Sequence, residues 1–108
     1  MVEYAVLWTD TARGDLDAII DYIAEDNLQN ALTILDRLET KASTLATHPR
    51  RGRTVPELRS LDLYQYQELI ERPWRLIYRI EQKRVLVVAV LDGRRDPQSL
   101  LIDRLVRS

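Results

Sequence analysis

The 108-residue chain has no cysteine, no phenylalanine, a single histidine, a single methionine, three glycines and four prolines. Without cysteine there can be no disulfide, no iron–sulfur cluster and no thiolate chemistry. One histidine, His48, removes His-rich zinc sites and leaves a carboxylate-only Mg²⁺ site as the remaining metal option. Long hydrophobic runs are also missing. The longest, Val85 to Leu91, is far short of the ~20 residues that span a bilayer. The opening MVEYAVLW has no basic stretch followed by an apolar core, so it does not read as a signal peptide. These absences predict a soluble, cytoplasmic protein without membrane contact. Hydrophobic residues at 45% and charged residues at 31% argue for a globular core over disorder, and the length suits one domain over 1–108.

Lysine is scarce as well. Of 16 basic residues only Lys41 and Lys83 are lysines, and arginine suits planar, bidentate contact with carboxylates and phosphates. The net charge is only −1, but its distribution is uneven. Asp10 to Glu39 carries eight acids against two bases; Pro49 to Arg59 carries four arginines against Glu57; Arg72 to Arg84 carries five bases against Glu81. One explanation is internal: the arginines pair with the acidic segment within the fold or across a dimer. The other is an acidic face, a basic face and a charged partner.

Residues 2–8 alternate, with Val2, Tyr4, Val6 and Trp8 on one side, as in a short strand. Thr9, Asp10 and Thr11 are N-cap candidates for a helix whose stripe is Leu16, Ile19, Ile20 and Ile23. Asp26-Asn27 breaks it. A second helical pattern runs through Leu28, Ala31, Leu32, Leu35, Ala42 and Leu45, widened by Ile34 and Leu38. The two predict an antiparallel helical hairpin, with His48-Pro49 ending the second helix. Arg50 to Leu63 reads as a loop with at most one short strand. Period-two patterns follow from Tyr64 and over Trp74 to Ile80. VLVVAVL (85–91), apolar on both faces, reads as a central, covered strand. Asp96-Pro97 can start a short helix over Leu100, Leu101 and Leu105. The expected fold is α+β: an N-terminal strand, a helical hairpin packed on a mostly antiparallel sheet and a short C-terminal helix.

The segments T-A-R-G-D-L-D-A-I-I-D-Y-I-A (11–24), A-T-H-P-R-R-G-R-T-V-P-E-L (46–58), W-R-L-I-Y-R-I (74–80) and V-L-V-V-A-V-L-D-G-R-R-D (85–96) resemble, in order and spacing, the ParE/RelE-type toxins. The resemblance implies the toxin of a type II toxin–antitoxin module, held inactive by a partner. It leaves two targets open: RelE-like members cleave mRNA on the ribosome, whereas ParE-like members act on DNA gyrase.

Cleavage through a 2′-hydroxyl needs a base, cations for the phosphorane and an acid for the leaving oxygen. The chain has the cations in Arg75, Arg79, Arg94 and Arg95, but no Tyr, Phe, Trp or His follows Tyr78. Arginine is a poor general base. Asp92 stands where the family ending often has His, and Arg94 and Arg95 would hold it ionised. His48 fits a helix C-terminus as well as it fits a base. Trp74, Tyr64 and Tyr66 at strand spacing suit a core or partner face as well as base stacking. The reading is therefore a binding inhibitor of DNA gyrase, with no catalytic residue, metal or cofactor assigned, and a RelE-like ribosome-dependent nuclease as the alternative. A relative whose toxicity has decayed is a third reading. Arg50, Arg51 and Arg53, with Arg94 and Arg95, are the candidate contacts to gyrase or its nucleic acid. A ParD-like antitoxin is expected over the hairpin and sheet edge, where Ile19, Ile20, Ile23, Ile34, Leu35, Leu38 and Trp74 serve as contact or as the core beneath it. Assembly as a dimer or a heterotetramer with antitoxin follows from the same resemblance.

Overall fold

The structure, a computed structural model, describes residues 3–94 and 97–107. Val2, Arg95 and Asp96, named above, lie outside the described residues. The order is β1 (Ala5–Trp8), α1 (Asp10–Asp26), α2 (Leu28–Ser43), a 3₁₀ turn (Thr44–Ala46), β2 (Arg53–Thr54), α3 (Pro56–Arg59), β3 (Tyr66–Glu71), β4 (Trp74–Glu81), β5 (Arg84–Asp92) and α4 (Pro97–Arg107). Thr9 caps α1, its hydroxyl accepting from Ala12 N–H at 3.1 Å. Asn27, the one residue between the helices, caps α2 by accepting from Asn30 N–H at 2.9 Å.

Among the described residues the sheet has five strands in the order β1-β5-β4-β3-β2. β1 runs parallel to β5 and every other pair is antiparallel. Only the first part of the apolar 85–91 run, to Val87, lies between two strands. Its side chains are apolar on both faces because one set packs in the core under α1 and α2 and the other in the cluster with α3 and α4. β1 leaves after Trp8, opposite Val87, so the rest of β5 lacks a strand neighbour there. Asp15 of α1 fills part of that gap by accepting Val90 N–H at 3.2 Å. A bulge sets Ala89 opposite Ile77 but Val87 opposite Tyr78. It turns two successive residues, Val88 and Ala89, onto one face.

α1 and α2 cover one face, burying Leu16, Leu38 and Leu45 with Leu76, Tyr78 and Val87. α3 and α4 cover part of the other, where Leu58 and Leu101 meet Val55, Ile77 and Val88. Three local expectations need correction. α2 stops at Ser43, before His48-Pro49, and tightens into 3₁₀ geometry. There the Ser43 and Thr44 hydroxyls donate to the carbonyls of Thr40 and Lys41, competing with helical continuation. The 50–63 stretch holds α3 as well as the two-residue β2, because Pro56 at the first turn pre-sets helical φ after extended Val55. β3 begins at Tyr66, leaving Tyr64 exposed outside it.

Candidate functional site

The β3–β4 turn at Arg72 and Pro73 lies beside the end of β5. Gly93 N–H donates to the Pro73 carbonyl at 2.8 Å, and a Cβ on Gly93 would stand 3.0 Å from that oxygen. The close approach therefore favours glycine. On the α3/α4 side of the sheet this junction opens a cleft of about 550 Å³, lined by Arg53, Arg72, Arg75 and Arg94 with Glu57 and Ile70.

The four arginines are held differently. Arg75 is buried. Its Nε donates to Glu68 Oε1 at 2.6 Å, and Nη1 and Nη2 donate to Glu57 at 2.9 and 2.7 Å. Glu68, with no exposed side-chain surface, also accepts Arg53 Nε at 2.7 Å. Two carboxylates thus balance Arg75 and Arg53. The Arg75 hydrogen bond, against the effect of burial, holds the Glu57 carboxyl below the ordinary glutamate range, and the same contact raises Arg75. Arg94 is exposed and clasped by Asp92: its backbone N–H and Nε reach Oδ1 at 2.9 and 3.0 Å, and Nη2 reaches Oδ2 at 2.7 Å. Arg72 is exposed and makes no ion pair among the described residues. Sequence reading missed Arg72 and the Glu57–Arg75–Glu68 network. Its signal is a diagonal across strands: Glu68 faces Ile77, two residues beyond Arg75.

The two expected arginine patches are redistributed. Arg53 and Arg94 come together in the cleft. Arg51 lies on the other side of the sheet edge, donating to Thr44 Oγ1 at 2.8 Å and flanking α2 near Lys41 and Glu71. Arg50 is exposed. Between Arg51 and Arg53, Gly52 fixes the loop: its N–H donates to the buried Tyr78 hydroxyl at 3.0 Å, and a Cβ there would collide with that oxygen. Burial pushes the Tyr78 phenol up, opposed by the Gly52 bond and the charges of Arg51 and Arg50. His48 is exposed, bonded to Thr47 Oγ1 through Nδ1, and does not line the cleft.

A second depression, about 580 Å³, runs between α1 and the β4/β5 ends. Ile19, Ile23 and Trp74 line it with Ala18 and Tyr22, and Asp92 and Arg94 stand at its rim. Ile20 and Leu35 are half-buried against the core. Ile34 and Leu38 are buried within it. The outer acids of α1, Asp17, Asp21 and Glu25, are exposed. Among the described residues no three metal-ligand side chains converge, and no helix is long and apolar enough to cross a membrane.

The family model described as the ParE toxin of the type II toxin–antitoxin system, parDE, matches residues 6–97. The chain belongs to the ParE toxin family. Toxin ParE3 of Caulobacter vibrioides is 31% identical over 90 residues, 82% of this chain and 86% of that protein. Toxin RelE2 of the same organism is 46% identical over 48 residues, 44% of this chain and 54% of that protein. Among solved structures, the chromosomal ParDE system of P. aeruginosa aligns with a TM-score of 0.64 at 23% identity, over 82% of this chain and 94% of that one. The RelBE2 toxin–antitoxin complex of Mycobacterium tuberculosis aligns at 0.62 and 25%, over 85% and 93%. This ParE chain shares their fold, and a cognate antitoxin is the partner its family supports.

Proposed function

We propose that this ParE-family chain inhibits DNA gyrase by binding, with the arginine cleft as the contact and the cognate antitoxin as the neutralising partner. One observation carries the reading. The described polar side chains lining the cleft are arginines, which stay charged at any working pH, and Glu57, which Arg75 holds ionised. Such a set recognises an anionic surface but does not relay a proton near neutrality. Asp92, beside the cleft, is occupied by Arg94. Arg53 and Arg75 are balanced by Glu57 and Glu68, so Arg72 and Arg94 are the cations best placed to meet gyrase or its DNA, with the exposed side of Arg53 beside them. Arg50 and Arg51 extend the basic surface around the sheet edge, and Arg95 follows Arg94 in sequence. On the apolar side, Ile19, Ile23 and Trp74 form the groove offered to the antitoxin.

The RelE2 relative favours one alternative, a ribosome-dependent nuclease. Two assays separate the readings. Purified toxin is expected to block gyrase supercoiling, and primer extension on transcripts after induction is expected to show no new cuts within codons. Cuts without supercoiling inhibition would establish the nuclease.

A further inference from the structure

Arg94 lines both depressions: it stands on the cleft wall with Arg72 and Arg75, and on the rim of the groove with Trp74 and Ile23. Its tether is unlike that of Arg75. Arg75 is buried, with Nε and both Nη atoms committed to two carboxylates. Arg94 has 73% of its side-chain surface exposed and is held by Asp92, its neighbour two residues back. The pair is solvent-screened on its exposed side, so a second carboxylate arriving from the groove competes with Asp92 for the same guanidinium. Arg94 is therefore an exposed cation that lines the apolar groove as well as the cleft.

We infer that Arg94 is shared between the two sites, so that an antitoxin segment filling the groove with apolar side chains, and taking Arg94 from Asp92 with a carboxylate of its own, excludes an anionic ligand from the cleft. The inference rests on the cleft being the target site as proposed above. The occupant follows from charge. Ala18, Ile19, Ile23 and Trp74 line the groove, and its rim carries one arginine, Arg94, which a partner's carboxylate would take in competition with Asp92 beside it. A second copy presenting its own hairpin fits poorly, because the exposed apolar residues there, Tyr22, Leu28 and Leu32, lie among acids like those around the groove. Packing hairpin on hairpin would set Asp17, Asp21 and Glu25 against their like.

The test uses full-length toxin, its cognate antitoxin, and inorganic pyrophosphate as the probe of the cleft, each titrated by calorimetry and by the arginine Nε–H signals. Antitoxin-bound toxin is expected to take pyrophosphate at least about tenfold more weakly than free toxin. Arg94→Ala should weaken antitoxin by about tenfold, as loss of a charge-pair partner does, and reduce the antagonism to within about twofold. Arg72→Ala should weaken pyrophosphate alone, and Ile23→Ala antitoxin alone. Full antagonism persisting in Arg94→Ala would overturn the inference. So would unchanged antitoxin affinity in that variant, or no pyrophosphate bound at the cleft. A supercoiling assay run beside these titrations is independent of them. Failure there removes the gyrase assignment, while the titrations still decide whether antitoxin and anion compete through Arg94.

Discussion

On the face covered by α1 and α2, side chains meet by shape: Leu16, Leu38 and Leu45 interlock with Leu76 and Val87, and charges stay at the margin, as where Arg37 and Lys41 of α2 reach Glu71 of β3. On the other face the apolar cluster under α3 and α4 gives way to an ion network, Arg53–Glu68–Arg75–Glu57, centred on buried Glu68 and Arg75. A helical hairpin can supply a continuous stripe of leucines. The other face keeps its arginines in place through carboxylates, one fully buried, Glu68, and one partly exposed, Glu57. The first face stabilises the fold; the second trades apolar contact for a fixed pattern of charge.

Breaking the charged face should be the most costly change. Arg75→Ala leaves Glu68 buried with only Arg53, and removal of one member of a buried ion pair typically costs about 3–5 kcal/mol. Urea unfolding should show it. On the hairpin face, Leu38→Ala opens a cavity and should cost about 2–5 kcal/mol, a loss that stays constant from pH 7 to pH 4. Acid should act on the paired carboxylates of both faces, Glu57 with Arg75 and Glu71 with Arg37, and leave the leucine packing unchanged. The Glu57 carboxyl is lowered in the folded state, so its stabilisation is present above its ordinary value of 4.5 and is lost as pH falls through the lower folded value. Wild type should lose stability over that window, and Glu57→Gln, less stable at pH 7, should show a flatter profile. At the small end, Glu39→Ala removes a half-exposed pair with Arg13 and should change stability by less than about 1 kcal/mol.

Much of the hairpin face was legible in sequence, because its rules are local. The Leu16–Ile23 stripe, the Asn27 break and the two-sided apolar run at 85–91 each follow from periodicity within one segment, and together they led to the α+β order found. The charged face was not legible in the same way. Glu57, Glu68 and Arg75 sit on three elements, and only the β3–β4 register brings Glu68 diagonal to Arg75. The composition did show arginines in excess on the later segments. It did not show that β-strand arginines would be answered by strand and α3 carboxylates, leaving Asp17, Asp21 and Glu25 of the acidic helix facing solvent. The loop arginines illustrate the limit most plainly. Arg51 and Arg53 are two residues apart in sequence, yet Gly52 carries the chain across the sheet edge and sends them to different faces.

That separation gives the most direct test of the central claim that the cleft makes the target contact. Gyrase supercoiling is titrated with wild-type toxin, with Arg72→Glu/Arg94→Glu and with Arg50→Glu/Arg51→Glu; all four positions are exposed, so each variant should fold. Reversal in the cleft is expected to raise the concentration needed for inhibition by more than about tenfold, as loss of interface arginines commonly does. Reversal in the loop should raise it by less than about threefold, the scale of screened peripheral charge. Equal inhibition by wild type and the cleft variant, or a larger loss in the loop variant, would contradict the account.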